Sequence, residues 1–201
     1  MTPESPRKSF AQNAGDIVRK HGLKIGAGLL LTGNLFMMSH PLWDWEHANV
    51  MRDWVACPIL SAFNIQLMRD QKESAYDFAT IGSPFHVAAN VMQNYWPTAV
   101  TWVAFGAASF KGSRWGKKLS ERSNVMAQFI QNKKDILVRD PHVQAASLRL
   151  GLSVIQFVDA TNRKDRPMQV LSGAGVLGSL FYMGSAVANH LFTRKPQPQM
   201  D

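Results

Sequence analysis

The chain has 201 residues, a net charge of +8, a pI near 9.9 and a mean hydropathy of −0.14. Its single cysteine, Cys57, excludes an intrachain disulfide and a thiolate metal cluster. The basic balance suits anionic lipid or the cytoplasmic loops of a membrane protein. With no zinc-finger, RRM or KH pattern present, no nucleic-acid partner is expected.

The average hydropathy hides a segregated charge pattern. Ile25–Trp43 (19 residues), Trp54–Met68 (15), Phe78–Phe110 (33) and Pro167–Thr193 (27) contain no Asp, Glu, Lys or Arg. About 20 apolar residues cross a bilayer as helix. The expected fold is therefore all-α: a small multi-pass transmembrane helical bundle of about four spans with interfacial amphipathic helices.

In chain order, residues 1–23 form a basic cytoplasmic segment. They lack the apolar core of a secretory signal, and Glu4 and Asp16 interrupt the Arg/Lys pattern of a mitochondrial presequence. The first span is placed near 24–43, about 28 Å of helix at 1.5 Å per residue. Lys24 snorkels at one edge, and Trp43 and Trp45 mark the other. Residues 54–68 are short and contain Pro58, which reads as an interfacial or re-entrant helix. The long uncharged run breaks at Trp96-Pro97, because proline favours a helix start, and gives a second span near 96–115. Trp96 and Trp115 anchor its two interfaces.

Leu119, Met126, Phe129 or Ile130, and Leu137 recur at helical spacing among basic residues. They predict an amphipathic helix over 119–138 resting on an anionic leaflet; the alternative is an ordinary surface helix. Asp140-Pro141 is an N-cap followed by a first-turn proline. It opens a helix over 141–160 that Arg149 and Asp159 interrupt. The last span runs 167–193, followed by a tail at 194–201.

Charge asymmetry orients these elements. Met1–Lys24 holds five Lys/Arg and 111–140 holds eight, whereas 44–77 holds three against six acids. The positive-inside rule then puts the N-terminus and the 111–140 loop in the cytoplasm and 44–77 outside. The expected location is the bacterial cytoplasmic membrane, with the mitochondrial inner membrane as alternative.

Small residues line one face of two helices: Gly22, Gly26 and Gly33 on the first, Ala174, Gly178, Ser185 and Ala188 on the last. Such residues permit close backbone approach where lipid supplies no hydrophobic drive. Gly173–Gly178 also matches GxGxxG, but Thr193, Arg194 and Lys195 stand where a dinucleotide site needs an acid. Asn34, Asn90, Asn94, Asn189 and His190 are polar residues in apolar surroundings, which lock helices together or line a solute path. His40, Asp44 and His47 form a weak metal-ligand candidate whose spacing matches no ligand frame, and Pro41 interrupts it.

No GxSxG, P-loop or HExxH frame occurs, so no catalytic residue and no cofactor are expected. The expected function is a non-catalytic structural or assembly subunit of a membrane. Its partners would be anionic lipids and other membrane helices, in a homo-oligomer or larger complex. The alternatives are a small-solute transporter or channel lined by the asparagines, and a soluble basic helical protein.

Overall fold

The computed structural model describes residues 10–45, 48–123, 137 and 140–192. Among these residues the chain forms seven α-helices and no strand. They are α1 (Phe10–Trp43), α2 (Cys57–Met68), α3 (Lys72–Met92), α4 (Trp96–Gly112), α5 (Arg114–Arg122), α6 (Pro141–Asn162) and α7 (Arg166–Phe192). A π-helical turn, Met51–Ala56, runs directly into α2.

Three hairpins are built the same way. Asp70, Asn94 and Lys164 follow α2, α3 and α6 with φ of 59°, 59° and 57°. Each donates its N–H back into the preceding helix, to Leu67, Val91 and Thr161 O at 3.0, 3.0 and 3.1 Å. The next residues, Gln71, Tyr95 and Asp165, donate to Gln66, Asn90 and Ala160 O at 2.9, 2.8 and 3.0 Å. This left-handed C-terminal closure satisfies the orphan carbonyls of a helix end and reverses the chain within three residues. Pro97 and Pro141 then start α4 and α6 in their first turns, where a missing N–H costs nothing.

Successive long helices therefore alternate in direction and pack on their neighbours. α7 returns to pack on α1, which closes a ring in the order α1, α2, α3, α4, α6, α7. One end of this bundle is basic. It gathers the α2–α3 turn, α5 and the start of α6, and Lys24 Nζ reaches Asp70 Oδ2 at 3.1 Å there. The opposite end carries the α1–α2 connection and the other two turns, where Arg163 lies 5.1 Å over the Tyr95 ring. The core between them is Leu60, Phe63, Leu67, Tyr76, Trp102, Phe105, Leu152 and Tyr182, with alanines at the tight crossings.

Helices cover the four segments read as spans, with adjusted ends, but among the described residues only Met168–Leu191 is long and apolar enough to cross a membrane. α1 begins 14 residues before Lys24 and carries Pro41 within its last turn, so the proline does not interrupt it. α4 ends at Gly112, and Trp115 belongs to α5. The 54–68 segment is not peripheral: it lies between α1 and α3 with Leu60, Phe63, Asn64 and Leu67 buried. Residues 44–77 consequently do not form one loop on one side, because α2 carries the chain back to the basic end. Most of the expected 119–138 helix lies outside the described residues.

The α1–α7 contact is backbone on backbone. A Cβ on Gly26 would sit 2.5 Å from Gly178 O and 2.8 Å from Tyr182 N, whereas one on Gly33 would meet nothing within 4 Å. Gly26→Ala is therefore expected to destabilise by about 1–3 kcal/mol through overpacking. Gly33→Ala should stabilise by up to about 1 kcal/mol through helix propensity. Thermal unfolding of the two variants checks the pair, and equal shifts would contradict the close crossing. Lys164→Gly, which relieves a left-handed non-glycine residue, should raise stability by about 1 kcal/mol in the same assay.

Candidate functional site

The small-residue seam meets itself inside the chain. A Cβ on Gly22 would lie 3.1 Å from Phe181 O and 3.3 Å from Ser185 Cβ. One on Gly178 would lie 2.9 Å from Leu29 Cβ and 3.0 Å from Gly26 O. Gly22, Gly26, Gly178 and Ser185 thus sit in the α1–α7 crossing, with Gly184 beside Val18. Gly33 stands apart from it. Ala174 and Ala188 are half-buried on α7.

Just inside the basic end, the crossing seats Tyr182 against α3. Its hydroxyl lies 2.6 Å from that of Tyr76, which lies 2.8 Å from His142 Nδ1. Both tyrosines are almost wholly buried. A cavity of about 10 Å³, room for one water, adjoins the three rings and Asn189. Beside them Asp140 caps α6: its Oδ1 accepts from His142 N at 2.8 Å, and its Oδ2 lies 2.8 Å from His190 Nδ1. Burial alone would raise the Asp140 carboxyl. The hydrogen bonds from His190 and from the His142 backbone outweigh it and hold the group below its ordinary value.

The opposite end has its own cluster. His40, on the last turns of α1, sits between two carboxylates, with Nε2 3.5 Å from Asp44 Oδ2 and Nδ1 3.3 Å from Asp53 Oδ2. Asp53 is fully buried in the π-helical turn, where Arg52 Nε holds its Oδ1 at 2.5 Å and Asn49 N donates to its Oδ2 at 3.0 Å. Asp53 thus sits in a π-helical turn, a distortion frequent at functional sites. His47 lies outside the described residues. Among the described residues no three potential ligands are grouped to hold a metal.

The asparagines do not converge. Asn94 is exposed in the α3–α4 turn, Asn90 Nδ2 donates to His86 O at 2.7 Å, and Asn189 Nδ2 to Ser185 Oγ at 3.3 Å. Of these four, Asn34 is the deeply buried one, and its Nδ2 lacks a partner, as do both side-chain polar atoms of Asn64 on α2. The tryptophans divide instead by position. Trp43, Trp45, Trp54 and Trp96 are exposed at the end opposite the basic one, and Trp115 is exposed near the basic end. Trp45 and Trp54 meet with ring centroids 6.0 Å apart.

The middle of the bundle holds a group that the sequence signals only in part. Trp102 is 1% exposed and stacks on His86, with centroids 4.0 Å apart and planes 4° from parallel. Arg149 places its guanidinium 5.3 Å over the same indole. Arg149 is conspicuous in sequence as a charge inside an apolar helix. His86 and Trp102 are marked by nothing local, because their meeting depends on how three helices pack. The Tyr76–Tyr182 pair, 106 residues apart, has no local signal either.

No protein family, curated protein or solved structure matches this chain.

The Asp140 geometry has a direct pH consequence. Because the folded-state carboxyl titrates below its ordinary value, its stabilising contribution is complete above that ordinary value and disappears as pH falls through the lowered one. Thermal melts between about pH 5 and pH 2 should show the wild type losing stability more steeply than Asp140→Asn, which keeps the cap but not the charge. Parallel curves would contradict the assignment.

Proposed function

We propose that the chain is an integral membrane bundle without chemistry of its own, acting as a structural or assembly subunit. The observation that carries this reading is the apolar outer face of α6, on a helix that buries an arginine. Val154, Ile155, Phe157 and Val158 face outward, while Arg149 and Ser153 are buried with Val143 and Leu152 of the same helix. A helix in water usually presents charged and polar side chains on its outer face. In lipid, polar side chains turn toward other helices and apolar ones toward the acyl chains.

Two further features support the same reading. Five of the six tryptophans are 48% to 63% exposed, and they lie toward the bundle ends, as an aromatic belt requires. Met168–Leu191 is, among the described residues, the one helix long and apolar enough to cross a membrane by length and composition, so the other three spans of the proposal rest on the charge and tryptophan pattern. The spans of this proposal are those near 24–43, 96–115, 141–160 and 167–193, with α2 and α3 packed among them. The basic end faces the cytoplasm by the positive-inside rule, next to anionic lipid headgroups. Since the glycine seam is consumed by ring closure, partner helices meet the outward faces. Val100 and Val103 of α4, and Leu177 and Leu180 of α7, are exposed there.

The test uses the chain's own silence to thiol reagents, since Cys57 is its single cysteine and is buried. A cysteine introduced at Lys164 should react with an impermeant maleimide on intact cells. One at Lys118 should react only after permeabilisation, and the protein should stay in the pellet after a carbonate wash. Release by carbonate, or equal labelling at both sites, would refute the membrane topology.

A further inference from the structure

Arg149 is a buried cation without a counter-charge. It is 8% exposed, and among the described residues its guanidinium has neither an ion pair nor a hydrogen bond. The buried carboxylates of the bundle are already committed: Asp53 to Arg52 and His40, Asp77 to Arg114. An unpaired buried guanidinium carries a large desolvation cost, which the face of one indole offsets only in part.

The surrounding groups share the same deficiency. Trp102 Nε1 and His86 Nε2 are both buried without a hydrogen-bond partner. Indole nitrogen only donates, and imidazole nitrogen donates when it carries the proton. Arg149 and Arg52 are the cations that act on His86, and Arg52 is paired with Asp53. The remaining titratable neighbour of Arg149 is the Cys57 thiol. Three helices, α3, α4 and α6, thus bring together a planar cation, an indole N–H without an acceptor and an unpartnered imidazole nitrogen, with no carboxylate acting on Arg149.

We propose that Arg149, Trp102 and His86 form a binding site for one small diffusible oxyanion, a carboxylate or inorganic phosphate. The guanidinium fork donates to two oxygens of such an ion side by side, and the indole N–H donates to a further lone pair. The same site would serve the bundle in a membrane or in water, so it does not rest on the reading above.

The experiment is thermal unfolding of the purified full chain in a neutral detergent, titrated with potassium phosphate or acetate against potassium chloride of equal ionic strength. The wild-type midpoint should rise saturably with phosphate or acetate beyond the chloride control. Arg149→Met should lose that rise and melt no lower than wild type in anion-poor buffer, because removing an unpaired buried charge is neutral or stabilising. Trp102→Phe keeps the stacked ring and loses the N–H, so its half-saturating concentration should increase about tenfold. This second variant decides the matter if Arg149→Met does not fold. The absence of a saturable rise in the wild type overturns the site, and so does an equal rise in Arg149→Met or an unchanged half-saturation in Trp102→Phe. A response only to micelles doped with phosphatidylglycerol overturns the diffusible ion in favour of a lipid headgroup.

Discussion

Everything in this bundle depends on the crossing of α1 and α7 at Gly26 and Gly178. Adjacent antiparallel helices are held partly by their short turns, but the first and last helices have no such link. They close the ring through contact between residues about 150 positions apart, and that contact is available only because backbone meets backbone. Its geometry seats Tyr182 against Tyr76 and sets His190 beside Asp140. A side chain at either glycine pushes the two axes apart and withdraws those groups together.

Within the closed ring, polar groups are arranged by depth. Small hydroxyls satisfy themselves locally: Ser61, Thr80, Ser83 and Ser153 each donate to the carbonyl four residues earlier, at 2.6 to 3.0 Å. Such residues add polarity to an interior without needing a partner from another helix. Ionisable groups concentrate near the ends, where Asp140 meets His190, Asp77 meets Arg114 and Asp53 meets Arg52. Arg149 departs from both patterns, being deep and unpaired. Apolar side chains are also exposed on the outward faces of α4, α6 and α7.

The connections show how little chain is needed to specify such an arrangement. Three turns adopt one left-handed closure with Asp, Asn and Lys at the position where glycine is usual. The short polar turn between α6 and α7 reads as a hairpin in sequence, but its left-handed residue does not, because Lys164, unlike Asp70 and Asn94, has no preference for that region. Tertiary contacts at each turn, Lys24 with Asp70 and Arg163 with Tyr95, accompany the conformation that local preference leaves open.

The sequence by itself determined the all-helical class, the break at Trp96-Pro97, the capped start at Asp140-Pro141 and the extent of the last helix. These follow from hydropathy, caps and proline, which act over a few residues. It also singled out the glycines, because small residues at helical spacing have few other uses in an apolar segment. Tertiary structure alone decided that the two glycine faces meet each other, that α2 is interior, and that α3 crosses the bundle beside it. It decided as well that the asparagines scatter while His86, Trp102 and Arg149 converge. Those outcomes are set by which helix faces which around a closed ring, a relation between distant residues that local periodicity does not encode.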